Sequence, residues 1–109
     1  LTAVVDRNRL QISGSTEDVM HHDSLDERFG SFGWHVIHAS GNDPDSLIQA
    51  FDEAKSTKGM PTMIIADTVK GCGVSYMENQ AVWHHKVPTE AEYLQAKEEL
   101  KAKEAAARE

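Results

Sequence analysis

Asn8, Lys70, Cys72, His84 and His85 are the residues whose types and neighbours could carry chemistry. Asn8 lies in Asp6-Arg7-Asn8-Arg9-Leu10-Gln11-Ile12-Ser13-Gly14, directly after an apolar run. Its amide oxygen and the carbonyls that follow are hard ligands. They suit Mg²⁺ or Ca²⁺ once a carboxylate and phosphate oxygens complete the shell. A plain turn is the commoner role for Asn after a strand, and that reading stands beside the metal one. Lys70-Gly71-Cys72-Gly73 follows another apolar run. Its glycines permit close backbone approach to a ligand, and Lys70 could pair with a phosphate. This pattern does not open a helix, as a dinucleotide-binding fingerprint would. Either imidazole of His84-His85 could donate to phosphate or transfer a proton. They sit in residues 77–88, a stretch with little periodicity that reads as a binding loop. Cys72 has no base beside it in sequence and reads as a small packing residue. His21-His22-Asp23 is a poor zinc motif, because adjacent histidines on a loop diverge and no second ligand pair has the usual spacing.

Positioning these residues requires a sheet. Residues 1–5, 34–39 and 62–69 are short apolar or β-branched runs, and the first and third suit strands buried on both faces. Between the first two, Ser24-Leu25-Asp26-Glu27 is a capping box, with Leu25, Phe29 and Phe32 as an apolar stripe and Gly33 closing the turn. Between the second and third, Asp43 caps and Pro44 takes the first helical position. Leu47, Ile48, Ala50, Phe51 and Ala54 repeat at helical spacing, and Gly59 and Pro61 stop the helix. Thr89-Glu90-Ala91-Glu92 is a second capping box, opening an Ala-, Glu- and Lys-rich segment. Tyr93, Leu94 and Leu100 are its apparent anchors, Glu99–Lys103 and Glu104–Arg108 its helical ion pairs, and its far end is expected to fray. The alternation predicts an α/β fold, an open parallel sheet with helices on both faces. It is divided into a binding unit, residues 1–88, and a charged helix or tail, residues 89–109. In such sheets ligands gather beyond the carboxyl ends of the strands, where Asn8, Asn42 and Lys70 fall. Gly41-Asn42-Asp43-Pro44 reads there as a cap and turn.

The 109 residues suit one small domain with room for a compact core, and 11 basic against 18 acidic side chains give a formal charge of -7. That balance argues against nucleic acid or an anionic membrane as the main partner. One cysteine excludes an intrachain disulfide, and no apolar run approaches the ~20 residues needed to span a bilayer. A reducing, cytoplasmic setting is expected. Leu1 in place of Met, at the head of a strand-like run, leads to the expectation that the chain is the later part of something larger.

Four ordered blocks resemble transketolase: residues 6–14, Phe32-Gly33-Trp34-His35-Val36-Ile37, residues 68–79, and Trp83-His84-His85-Lys86-Val87-Pro88. Together they resemble the second half of its N-terminal, thiamin-diphosphate-binding domain, in the style of transketolases split into two polypeptides. The resemblance reaches to about residue 95. It implies that Asn8 binds, through its side chain, the Mg²⁺ bridging the cofactor's diphosphate, with Ca²⁺ as a substitute, and that the Leu10 backbone carbonyl is a further metal ligand. Ile12 would pack against the cofactor's ring system, Lys70 would lie near the cofactor, and His84 near the diphosphate and the reacting substrate. Two departures stand out: Asn42 where members commonly have His, and His85 where they have Gly. No Gly-Asp-Gly segment, which supplies the family's metal carboxylate, occurs in the sequence.

The resemblance implies an enzyme part that transfers a two-carbon ketol unit from a ketose to an aldose. It would act on sugar phosphates in a homo- or hetero-oligomer with other transketolase segments or a C-terminal subunit. Alone, the chain is expected to be inactive. The alternative is a non-catalytic α/β remnant serving as an association module.

Overall fold

A computed structural model describes residues 1–21 and 24–107. The elements are strands β1 (Thr2–Arg7), β2 (Leu10–Gln11) and β3 (Gly14–Ser15), helices α1 (Thr16–Val19) and α2 (Leu25–Ser31), strand β4 (His35–Ser40), helix α3 (Pro44–Ser56), strand β5 (Thr62–Asp67), a 3₁₀ turn at Ala81–His84, and helix α4 (Glu90–Ala107). Three strands form a parallel sheet in the order β1-β5-β4. In register, Val4 and Ile37 flank Ile64, and Arg7 and Ser40 flank Asp67. All three carboxyl ends therefore open onto the same edge of the molecule.

The alternation of side chains across β4 shows which helix covers which face. His35 bonds Glu53 of α3 at 2.7 Å, and Ile37 and Ala39 on that same face cluster with Ala50, Ala54 and Ile64. His38, on the opposite face, bonds Asp26 of α2. The parallel sheet thus carries helices on both faces, as the alternation of elements predicts.

The caps form as the local sequence dictates. The Ser24 hydroxyl accepts the Glu27 N–H at 3.2 Å, and Asp43 caps α3 by accepting the Asp45 N–H at 3.1 Å. At the head of α4, Thr89 and Glu92 make a reciprocal box: the Glu92 carboxylate accepts the Thr89 N–H at 2.7 Å, and the Thr89 hydroxyl accepts the Glu92 N–H at 3.3 Å.

Several expectations need correction. β1 is not buried on both faces; its residues alternate exposed and half-buried, because α3 lies over β4 and β5 and leaves Val4 48% exposed. Phe32 is the residue that ends α2, outside its apolar stripe, and stands exposed, while Phe29 packs edge-on to Trp34 at 5.9 Å. Ile48 and Phe51 of α3 are also exposed, since the helix lies on its alanines and has only two strands beneath it. Helix α4 is continuous to Ala107, and its expected anchors Tyr93, Leu94 and Leu100 are each about half exposed. Ala96 is its one buried residue, and polar bonds to residues 75 and 76 hold it. Glu99 bonds Ser75 and Gln95, with the charge of Lys103 a further, smaller attraction, and residue 108 of the Glu104–Arg108 pair lies outside the described residues.

Candidate functional site

Where β1 leaves the sheet, the chain folds into the small antiparallel hairpin β2–β3, a feature with too few residues to show as a periodic run. Asn8 and Leu10 meet at its entry. The Asn8 Oδ1 accepts the Leu10 N–H at 2.9 Å, a local Asx turn, and this uses one of the two lone pairs on that oxygen. The turn reading and the ligand reading of Asn8 are therefore compatible. Between them, Arg9 adopts φ +62°.

Asn8 also lines an open cleft of ≈ 480 Å³ beyond the strand ends, together with Asp6, Asn42, Thr68, Lys70 and Cys72. The elements that build it are tied by side chains. The Thr68 hydroxyl donates to Asp6. The Asn42 Oδ1 accepts the Val69 N–H at 2.7 Å, joining the loop after β4 to the loop after β5. Gly41 lies against Thr68, and a Cβ there would sit 2.4 Å from the Thr68 methyl. Lys70 is half-buried in the cleft and makes no ion pair among the described residues. Its carbonyl accepts the Asn79 N–H at 3.0 Å, which closes residues 70–79 into a compact loop, and inside that loop Glu78 accepts the Gly73 N–H at 2.9 Å.

The structure brings Asn8, Leu10 and Lys70 to one end of the sheet, and it brings the His84 segment to the same hairpin. The 3₁₀ turn carrying His84 packs against β2. Trp83 anchors that turn: its indole N–H donates to the Tyr76 carbonyl at 3.2 Å, and the two rings lie 5.4 Å apart. Lys86 stacks over Trp83 at 4.3 Å and pairs with Glu92 at 2.7 Å. Lys86 and two bonds from Thr89 hold the Glu92 carboxyl well below the usual range, at about 2. Bonds from the Ser75 backbone N–H, Gln95 and the Ser75 hydroxyl do the same for Glu99, also at about 2. Burial, then the Glu92 charge, pushes the Tyr76 hydroxyl up. His84 itself is exposed, with its ring 6.3 Å from that of His85.

Ile12, at the tip of the hairpin, is exposed and lines neither the cleft nor the hollow beside it. His21, two residues beyond the end of α1, pairs with Glu17 at 2.6 Å; His22 and Asp23 lie outside the described residues. No group of three or more His, Cys, Asp or Glu that could hold a metal occurs among the described residues. An amide oxygen and a backbone carbonyl are the right donors for a hard cation, but they fill only two of about six positions. Within this chain, the donor set is a partial shell.

Sequence reasoning passed over Asp6, Arg9 and Glu78, and read Asn42 as a turn. Each acts through a partner distant in sequence or through loop geometry, so composition and spacing carry no sign of them.

A family model described as "Transketolase, thiamine diphosphate binding domain" matches residues 1–107. An apulose-4-phosphate transketolase subunit of Phocaeicola vulgatus is 46% identical over 100 residues, covering 92% of this chain and 36% of that protein. A 6-deoxy-6-sulfo-D-fructose transketolase subunit of a Clostridium species is 36% identical, with 92% and 36% covered. The chain thus spans about a third of the length of these curated relatives. Among solved structures, the transketolase of Campylobacter jejuni superposes with a TM-score of 0.83 at 25% identity, covering 93% of this chain and 16% of that one.

Proposed function

The chain belongs to the transketolase family, within its thiamine diphosphate binding domain, and from that premise we propose that it supplies one half of the cofactor site of a ketol-transferring enzyme. The reaction is transfer of a two-carbon unit from a ketose to an aldose, with sugar phosphates as substrates. One observation carries this reading: Asn8, Leu10 and Lys70 converge at the carboxyl end of the sheet, with the His84 turn packed on the same hairpin.

In this reading Asn8 Oδ1 and the Leu10 carbonyl hold Mg²⁺, or Ca²⁺ in its place, and Lys70 offsets diphosphate charge. Ile12, exposed at the hairpin tip, would pack against the cofactor ring, as the family resemblance implies. His84, exposed on its turn, holds or moves a proton at a substrate oxygen. Thiamin diphosphate, when bound, supplies the carbanion chemistry of the transfer, and the protein supplies binding and orientation. Residues 1–88 form the binding unit and residues 89–109 a charged helix or tail, whose helix α4 (Glu90–Ala107) braces the His84 loop. The partial cation shell, and the word "subunit" in the relatives' names, support assembly with other transketolase segments or a C-terminal subunit. That assembly is a homo- or hetero-oligomer in the cytoplasm; no helix among the described residues is long and apolar enough to cross a membrane.

Calorimetric titration with thiamin diphosphate and Mg²⁺ tests the proposal. The chain alone binds weakly, and a partner polypeptide carrying a Gly-Asp-Gly segment tightens binding. Asn8→Ala then weakens the completed site at least about tenfold, the scale of a lost ligand or its support. Restoration that survives Asn8→Ala unchanged rules out the metal assignment. A second reading, an association module, draws on the unpaired outer edge of β1 and the exposed Leu1 and Val4. A monodisperse oligomer that ignores cofactor even with partner segments present would favour it.

A further inference from the structure

Arg9 stands between the two residues proposed as cation ligands, and ligation makes no use of its side chain. Its φ of +62° lies in the left-handed region, which strains any residue with a Cβ unless its surroundings hold it there. Two sets of contacts do so. The Arg9 carbonyl accepts the Thr16 N–H at 2.9 Å and the Thr16 hydroxyl at 3.3 Å. Its guanidinium donates to Asp67 Oδ1 at 3.1 Å, across 58 residues of sequence.

Asp67 is well placed as an anchor. It is the last residue of β5, the central strand, and sits in register with Arg7 of β1 and Ser40 of β4. Its other oxygen lies 3.9 Å from His38 Nδ1, and His38 Nε2 bonds Asp26 of α2. The hairpin corner is thus tied to the rigid centre of the sheet. An exposed ion pair adds little to global stability, so the consequence of this one is local. The left-handed residue 9 lies inside the turn that Asn8 Oδ1 closes onto the Leu10 N–H. A relaxed residue 9 would carry the Asn8 amide and the Leu10 carbonyl apart.

We infer that Arg9 is a positioning residue: its ion pair with Asp67 holds the corner left-handed and keeps the two candidate cation oxygens of Asn8 and Leu10 together. This rests on the reading of Asn8 and Leu10 as ligands, so the test separates the two ideas. Amide hydrogen exchange at Leu10, followed by NMR on the 109-residue chain without metal, reads the corner. Broadening of the Asn8 and Leu10 signals by Mn²⁺ reads cation binding. Arg9→Ala and Asp67→Asn each speed Leu10 exchange about two- to fivefold, the scale of an exposed pair, while the amides of Ile64 and Ile65 stay unchanged. Mn²⁺ broadening falls in parallel, and Arg9→Lys, which keeps the charge, restores both. Leu10 exchange unchanged in both Arg9→Ala and Asp67→Asn overturns the positioning role, whatever Mn²⁺ does. A corner that loosens as expected, while Asn8→Ala leaves thiamin diphosphate and Mg²⁺ binding by the site completed with its partner polypeptide unchanged, overturns the cation reading and with it the purpose assigned to Arg9.

Discussion

A methyl group on residue 71 would lie 2.6 Å from both the Cβ and the carbonyl oxygen of Met77, and Gly71 already sits at φ +73°. Gly71→Ala therefore strains the loop twice, through its backbone conformation and through contact with backbone atoms that cannot swing away. The expected cost is about 1–3 kcal/mol, read as a lower urea midpoint at unchanged slope. The same residue shows how far single positions are legible. A glycine beside Lys70 reads in sequence as room for a ligand, whereas its near neighbour is the chain itself, folding back through Met77. Asn8 was more legible, because both its readings are local: a turn to Leu10 and a hard oxygen beside the backbone. Asn42 was less so, since its bond to Val69 crosses 27 residues.

Helix α4 is the element whose attachment departs most from its pattern. Its two leucines and tyrosine stay half exposed, while Glu92 and Glu99 accept from backbone and hydroxyl donors of Thr89 and Ser75. Both carboxyls titrate at about 2 in the folded chain, against an ordinary value of 4.5. A folded-state value below the unfolded one means the contribution is complete above about pH 4.5. It fades as pH falls from there towards 2. Trp83 fluorescence in a Trp34→Phe background, recorded from pH 7 to 2, should hold steady to about pH 4.5 and then change as α4 releases Lys86 and Thr89. Glu92→Gln should flatten that transition and alter the signal already at pH 7. The capping boxes were readable in advance because they span three residues; the bonds from Ser75 to Glu99 were not, because they cross 24 residues.

The whole molecule is thin, 51 × 40 × 16 Å, with a radius of gyration of 16.8 Å. A compact domain of this length would have about 13 Å. Its core is correspondingly slight: alanines of α3 and α4, β5, Ile37 and Ala39 of β4, and Val74 of the loop after β5. The compact core that the length allows is not what forms, because among the described residues α3 packs over β4 and β5 and leaves Val4 of β1 half exposed. An unpaired strand edge beside exposed apolar side chains favours association. Val4→Lys should shift self-association to higher concentration in sedimentation velocity, with stability changed by no more than about 1 kcal/mol at so exposed a position.

What the sequence by itself determined are the features written within a few residues. These are the strands and caps, the three-layer α/β class, and the four motif blocks that mark the transketolase family. Only the tertiary structure decided that β5 inserts between β1 and β4 and that Asp67 at its end pins Arg9. It alone put the His84 turn against a hairpin some seventy residues earlier, and left Val4 of β1 about half exposed. The physical reason is range. Caps and periodicity are fixed by neighbours three or four positions away, whereas strand order and site assembly depend on pairings across the whole chain, whose partners are chosen only when the sheet closes.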